Sequence, residues 1–105
     1  MTEVTRTDAV VVGAGTAGAG AALQLARKGL DVVLLDRRPP EAGGAQWQNG
    51  ILDRHFVRAG IEPPSGPERG GANLRTHIVG PDGTRAISLV SPTVAADMAR
   101  LGRRL

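Results

Sequence analysis

Gly13, Gly15 and Gly18, followed at a distance by Asp36, are the residues whose types and spacing fit one kind of chemistry, the holding of a phosphate-linked nucleotide. Glycine at 13 lets the chain leave a strand in a tight turn. At Gly15 a side chain would stand where a pyrophosphate must approach the backbone, and at Gly18 it would hold the following helix away from the sheet. The free amides and partial positive charge of a helix N-terminus then face the phosphates. A carboxylate at Asp36 accepts hydrogen bonds from a ribose 2′-OH.

Such residues act together only if the chain between them folds as strand, turn, helix and strand, and the sequence reads that way. Asp8 to Val12 is a continuous apolar run suited to a parallel strand covered on both faces. A helix opens at Thr16 or Ala17 and runs to about Lys28, with Ala22, Leu25 and Ala26 toward the sheet and Gly29 as its left-handed stop. The small residues Ala17, Ala19, Gly20 and Ala21 let it lie close to the strands. Val32 to Leu35 is the second strand, closing on Asp36. A right-handed crossover places both strand C-termini at one edge, beside the ligand. The competing reading is a glycine-rich packing turn in a chain that holds 15 glycines. It leaves the register of strand, helix, strand and terminal acid unexplained.

Beyond Asp36, Pro39 and Pro40 forbid a continued strand or helix, so the segment through Gly43 and Gly44 is a loop. Leu52, Phe56 and Ala59 have helical spacing, which predicts a helix over Asn49 to Ala59. Residues 61–73, rich in proline and glycine, read as a loop. Leu74 to Val79 and Thr84 to Val90 flank Pro81-Asp82-Gly83 as a hairpin. Ser91 as N-cap and Pro92 at the first helical position open a last helix carrying Val94, Met98, Leu101 and Leu105. Arg100, Arg103 and Arg104 complement the C-terminal end of that helix.

Composition excludes more than it assigns. Thirteen basic residues against ten acidic give a net charge of +3, and all the basic residues but Lys28 are scattered arginines. Nucleic-acid binding calls for a basic patch with stacking aromatics. Trp47 and Phe56 are the only aromatic residues, so no nucleic-acid partner is expected. The uncharged run from Ala9 to Ala26 reaches the length of a membrane helix, but its glycines and Gln24 interrupt it, and strand plus helix explains it better than a membrane span. With no cysteine, the chain builds no disulfide, thiolate metal site or redox dithiol. No metal site and a cytoplasmic residence are the expectations.

The glycine fingerprint serves NAD, NADP and FAD alike. Asp36 argues against a 2′-phosphate, with Arg37 and Arg38 as the features that favour one. After the acid comes a Gly-Gly pair and then "AQWQNG". In this the chain resembles the FAD-dependent oxidoreductases of the glutathione-reductase-like superfamily, most of all the group of aromatic-ring monooxygenases and geranylgeranyl-reductase-type enzymes. The resemblance is specific across Asp8 to Gly44 and looser from Ala45 to Gly60. It implies an α/β fold, the N-terminal βαβ unit of a Rossmann-like FAD-binding domain with a following helix, hairpin and C-terminal helix. Residues 8–36 would be the dinucleotide-binding core and 37–105 the remainder.

The resemblance further implies FAD as cofactor, with NAD(P)H as a candidate reductant and an unknown small molecule as substrate. Gly13, Gly15, Thr16, Ala17 and Gly18 would lie at the FAD pyrophosphate and Asp36 on the adenosine ribose. Arg37 would lie along the adenine, and Gly44, Ala45 and Gln46 would approach the ribityl and phosphate side. The cysteine pair of the disulfide-reducing members is missing from "GGAQWQNGIL". No residue is marked as catalytic. His55 and His77 read as idle surface histidines and Trp47 as a packing residue under the loop. Arg100 could reach a cofactor phosphate, but a surface role is preferred. A chain of 105 residues offers two parallel strands where a full doubly wound domain needs five or six, so it reads as a partial FAD-binding domain that is not catalytically complete by itself. An open sheet edge would then favour self-association. The alternative reading is a noncatalytic remnant or an adenine-nucleotide-binding module.

Overall fold

Strand β1 (Ala9–Val12) runs parallel to β2 (Val32–Leu35), with Ala9 opposite Val32 and Val12 opposite Leu35, and helix α1 (Thr16–Arg27) crosses between them. The computed structural model describes residues 3–105, and for Leu74 the backbone alone. These residues form two units, one of residues up to 47 together with 98–105, and one of residues 48–97.

In the first unit the βαβ frame forms where the sequence places it. Thr7 and Asp8 fasten the entry to β1, the Thr7 hydroxyl donating to the Asp31 carbonyl at 2.6 Å and Asp8 Oδ2 accepting the Asp31 N–H at 2.8 Å. Lys28, Gly29 and Leu30 donate back to the carbonyls of Leu25 and Ala26 and so close α1 at the expected stop. The inward face of α1 differs in detail from expectation. Ala19 is buried, Ala22 and Leu25 are half-buried, and Ala26, Ala17 and Ala21 are exposed. β1 also differs from a strand covered on both faces: Val10 and Val12 are 55% and 81% exposed, and among the described residues β1 has β2 as its only neighbour. A short 3-10 turn (Pro40–Ala42) follows β2 where the prolines end regular structure. Helix α3 (Met98–Arg104) belongs to this unit and packs on α1 and on that turn, burying Met98 and Leu101.

The second unit is an antiparallel sheet in the order β3-β5-β4, made of β3 (Gln48–Leu52), β4 (Arg69–Val79) and β5 (Ala86–Asp97). Helix α2 (Asp53–Ala59) follows β3. Its core holds Phe56, Pro64, Val94 and Ala96. Two predicted helices begin later here than the sequence suggests. The helix predicted from Asn49 begins only at Asp53, because Gln48–Leu52 pairs with Thr93–Asp97. The helix predicted from Ser91 begins only at Met98, because β5 continues through Asp97.

The reason is a shared period. Residues four apart recur on one face of a helix, and they also share a face of a strand, since four is twice the strand period. Val94 and Met98 satisfied both patterns. Burial of Val94 and Ala96 between half-buried neighbours shows that the period of two prevails. Pro92 is tolerated in this central strand because it lies at an irregularity, where the register of β4 on β5 shifts between Asn73 opposite Thr93 and Arg75 opposite Val90. Residues 69–73, read as loop, extend β4 through a second irregularity at Gly70 and Gly71. The expected hairpin turn is present: the Asp82 carboxylate accepts the Thr84 N–H at 3.0 Å and its hydroxyl at 2.8 Å, which holds the Asp82 pKa below its ordinary value.

Candidate nucleotide-binding site

The three fingerprint glycines stand under three different physical demands. Gly13 has φ +99°, a left-handed conformation that lets the chain turn out of β1. Gly18 is required by packing within the protein, since a Cβ there would overlap the Gly13 carbonyl oxygen. Gly15 is required by neither. Its φ of −75° suits any residue, and an added Cβ would make an ordinary contact at 3.8 Å with Gly44 Cα. Gly15 is also the N-cap of α1, and it offers no side chain to satisfy the first-turn amides.

Asp36 ties the end of β2 to this turn. Its Oδ2 accepts the Ala14 N–H at 2.8 Å and its Oδ1 accepts the Arg38 N–H at 2.9 Å, with Arg38 Nε 3.6 Å from Oδ1. The Arg38 and Ala14 amides, followed by the Arg38 guanidinium, hold its carboxyl below the ordinary carboxylate value. Each carboxylate oxygen retains capacity for a further donor.

The Gly-Gly loop comes back onto the turn. Gly44 has φ +66°, a conformation that favours glycine, and its backbone passes close to Gly15, where a Cβ on Gly44 would stand in ordinary contact, 3.4 Å from Gly15 Cα and 3.7 Å from Thr16 N. Gln46 Nε2 donates to the Gly43 carbonyl at 2.8 Å and braces the loop. Between turn, loop and α3 lies an open cleft of about 400 Å³.

Of the residues singled out by sequence, Thr16, Asp36 and Gly44 line this cleft, while Gly13, Gly15 and Gly18 shape the turn behind it. Ala17, Arg37, Ala45 and Gln46 do not line it. Arg38, which the sequence offered only as a reader of a 2′-phosphate, lines the cleft too; sequence reasoning did not assign Pro40 to the site, nor the α3 wall, on which Met98, Gly102 and Leu105 recur at helical spacing with Arg103 beside them. That spacing was legible; its direction was not, because nothing local ties α3 to α1.

The other candidates form no site. His77 Nδ1 lies 2.8 Å from Ser88 Oγ, but this is a cross-strand pair on an exposed hairpin. His55 is exposed. Trp47 is 66% exposed rather than packed under the loop; its carbonyl is engaged, accepting the Met98 N–H at 3.1 Å. Among the described residues no group of acidic, histidine or cysteine side chains could hold a metal ion, and no helix is long and apolar enough to cross a membrane.

Residues 8–104 match the profile of the family described as FAD dependent oxidoreductase. The chain is 38% identical over 82 residues to digeranylgeranylglycerophospholipid reductase 2 of Methanothermobacter thermautotrophicus, covering 77% of this chain and 21% of that one. It is 48% identical over 52 residues to a probable electron transfer flavoprotein-quinone oxidoreductase of Escherichia coli, covering 50% of this chain and 12% of that one. In structure it is similar to a geranylgeranyl bacteriochlorophyll reductase-like protein of Thermoplasma acidophilum, with TM-score 0.77 and 20% identity, over 93% of this chain and 26% of the other. The chain thus spans about a fifth of the length of the first relative. With a βαβ unit of the Rossmann-like FAD-binding kind and a family match over nearly its whole length, this protein belongs to the FAD-dependent oxidoreductases.

Proposed function

We propose that the cleft takes the ADP half of FAD, with the diphosphate at the N-terminal turn of α1 and the adenosine ribose on Asp36. The observation that carries this reading is Gly15, which no steric or conformational demand of the protein itself requires to be glycine. A ligand approaching the backbone supplies the missing reason. The residues present fit the cofactor: the α1 N-terminus carries no side-chain cap, and the cleft volume falls within the roughly 300–1,000 Å³ of small-molecule sites.

Thr16 and its neighbouring amides would hold the phosphates, and Asp36 would accept the ribose hydroxyls while its bond to Ala14 keeps the turn in place. Gly44, Ala45 and Gln46 would run along the phosphate and ribityl side. Arg37, exposed next to Asp36, would flank the adenine. Bound flavin would supply two-electron exchange with a small molecule. For the whole protein we favour reduction of a small-molecule substrate, with NAD(P)H as electron donor, over monooxygenation. Support comes from relatives named digeranylgeranylglycerophospholipid reductase.

Titration of the protein with FAD and with ADP tests the site. Gly15→Val is expected to abolish binding of both. A variant that binds within about twofold of wild type, under roughly 0.5 kcal/mol, overturns the placement.

A further inference from the structure

Three charged residues line the cleft, Asp36, Arg38 and Arg103. Two of them answer each other, since Arg38 donates its backbone N–H to the Asp36 carboxylate and holds its guanidinium 3.6 Å away. Arg103 is different. Its guanidinium has no ion pair or side-chain hydrogen bond to another described residue, although its neighbours Arg100 and Arg104 both have partners. Arg103 is therefore the one charged side chain of the cleft lining without a side-chain partner among the described residues, and the uncapped first turn of α1 contributes to the same lining.

The placement follows from packing. Met98 and Leu101 bury on α1 and the Pro40–Ala42 turn, which fixes the azimuth of α3. Gly102 adds no side chain to the wall, and Arg103 follows it into the cleft lining, which Ala14, Thr16 and the Gly43-Gly44 loop share. Arg103 is exposed to solvent and free to turn to a ligand in the cleft; its planar guanidinium can pair two N–H donors with two oxygens of a phosphate, and it gains little from an uncharged nucleoside.

Resting on the reading of the cleft as a nucleotide site, we propose that Arg103 binds the phosphate of that nucleotide and makes the site select a diphosphate over an uncharged nucleoside. A purely helix-dipole role would be shared with Arg104, which lies in the same last turn. A phosphate contact would not.

The test is calorimetric titration of the 105-residue chain with ADP and with adenosine, for wild type, Arg103→Gln, Arg103→Lys and Arg104→Gln. Wild type is expected to bind ADP more tightly than adenosine. Arg103→Gln should lose about tenfold for ADP and under twofold for adenosine, with a shallower salt dependence for ADP, and Arg103→Lys should recover part of the loss. Arg104→Gln should leave both affinities unchanged. Equal losses for the two ligands, an equal loss in Arg104→Gln, or ADP affinity unchanged in Arg103→Gln each overturn the role of Arg103 while leaving the nucleotide site standing. A wild-type chain that binds neither ligand overturns the site and Arg103 with it.

Discussion

The Asp36 carboxylate at the end of β2 accepts the Ala14 N–H at 2.8 Å and so clasps the glycine turn from the neighbouring strand. The residue proposed to read the ribose is thereby part of the architecture that shapes the phosphate turn. Removing it should damage both functions. Asp36→Ala is expected to lower Tm and to weaken ADP binding by tenfold or more, measured by thermal melts and calorimetry on the same samples. An unchanged Tm would show that the clasp is dispensable.

The same clasp gives a pH dependence with a definite sign. Asp36 has a pKa lowered in the folded chain, so its contribution to stability is fully present above the ordinary value of 3.8 and is lost as pH falls through the lower folded value. The Tm difference between wild type and Asp36→Asn should narrow as pH drops from neutral into that range. A difference that stays constant would mean that the charge on Asp36 does not act on folding.

Gly18 and Gly15 should separate stability from binding. Gly18→Ala forces a Cβ into the Gly13 carbonyl, and overpacking of that kind costs about 1–3 kcal/mol. Gly15→Ala meets only an ordinary contact with Gly44, so its stability should stay within about 0.5 kcal/mol of wild type while ADP binding falls. Denaturant melts beside titrations check the pair. Matching stability losses in the two variants would remove the argument that Gly15 answers to a ligand.

Asp36 should also select against a 2′-phosphate, because that anion would meet a carboxylate whose adjacent Arg38 is already engaged with it. Competition between ADP and 2′-phospho-ADP is the measurement. Equal affinities would show Arg37 or Arg38 turning to the phosphate, as in an NADP site.

β1 pairs on one side only among the described residues, and Val12 at its end is 81% exposed. Such an edge recruits another chain. Light scattering should show wild type associating with concentration and Val12→Lys remaining dispersed. A wild-type chain that stays monomeric at high concentration would count against this edge as a contact.

The βαβ frame was legible in the sequence because its determinants are local. Gly13 sets one turn, Gly29 ends one helix, and residues 9–35 close on one another through a short crossover. Gln48–Leu52 and Thr93–Asp97 were not legible as strands. Each adjoins residues spaced by four, which satisfy a helix and a strand alike, and only their pairing across a long stretch of chain decides between the two. Asn49 and Gly50, poor helix formers, were the local hint. Asp36 could be named from its position after an apolar run, but its hold on Ala14 required β2 to lie beside β1. Arg103 shows the limit most plainly. Three arginines at one helix end look alike in sequence, and the burial of Met98 and Leu101 decided that Arg103, rather than Arg100 or Arg104, lines the cleft. Sequence spacing sets which residues share a helix face, but the direction of that face depends on what the helix packs against, and here that surface is α1, far away along the chain.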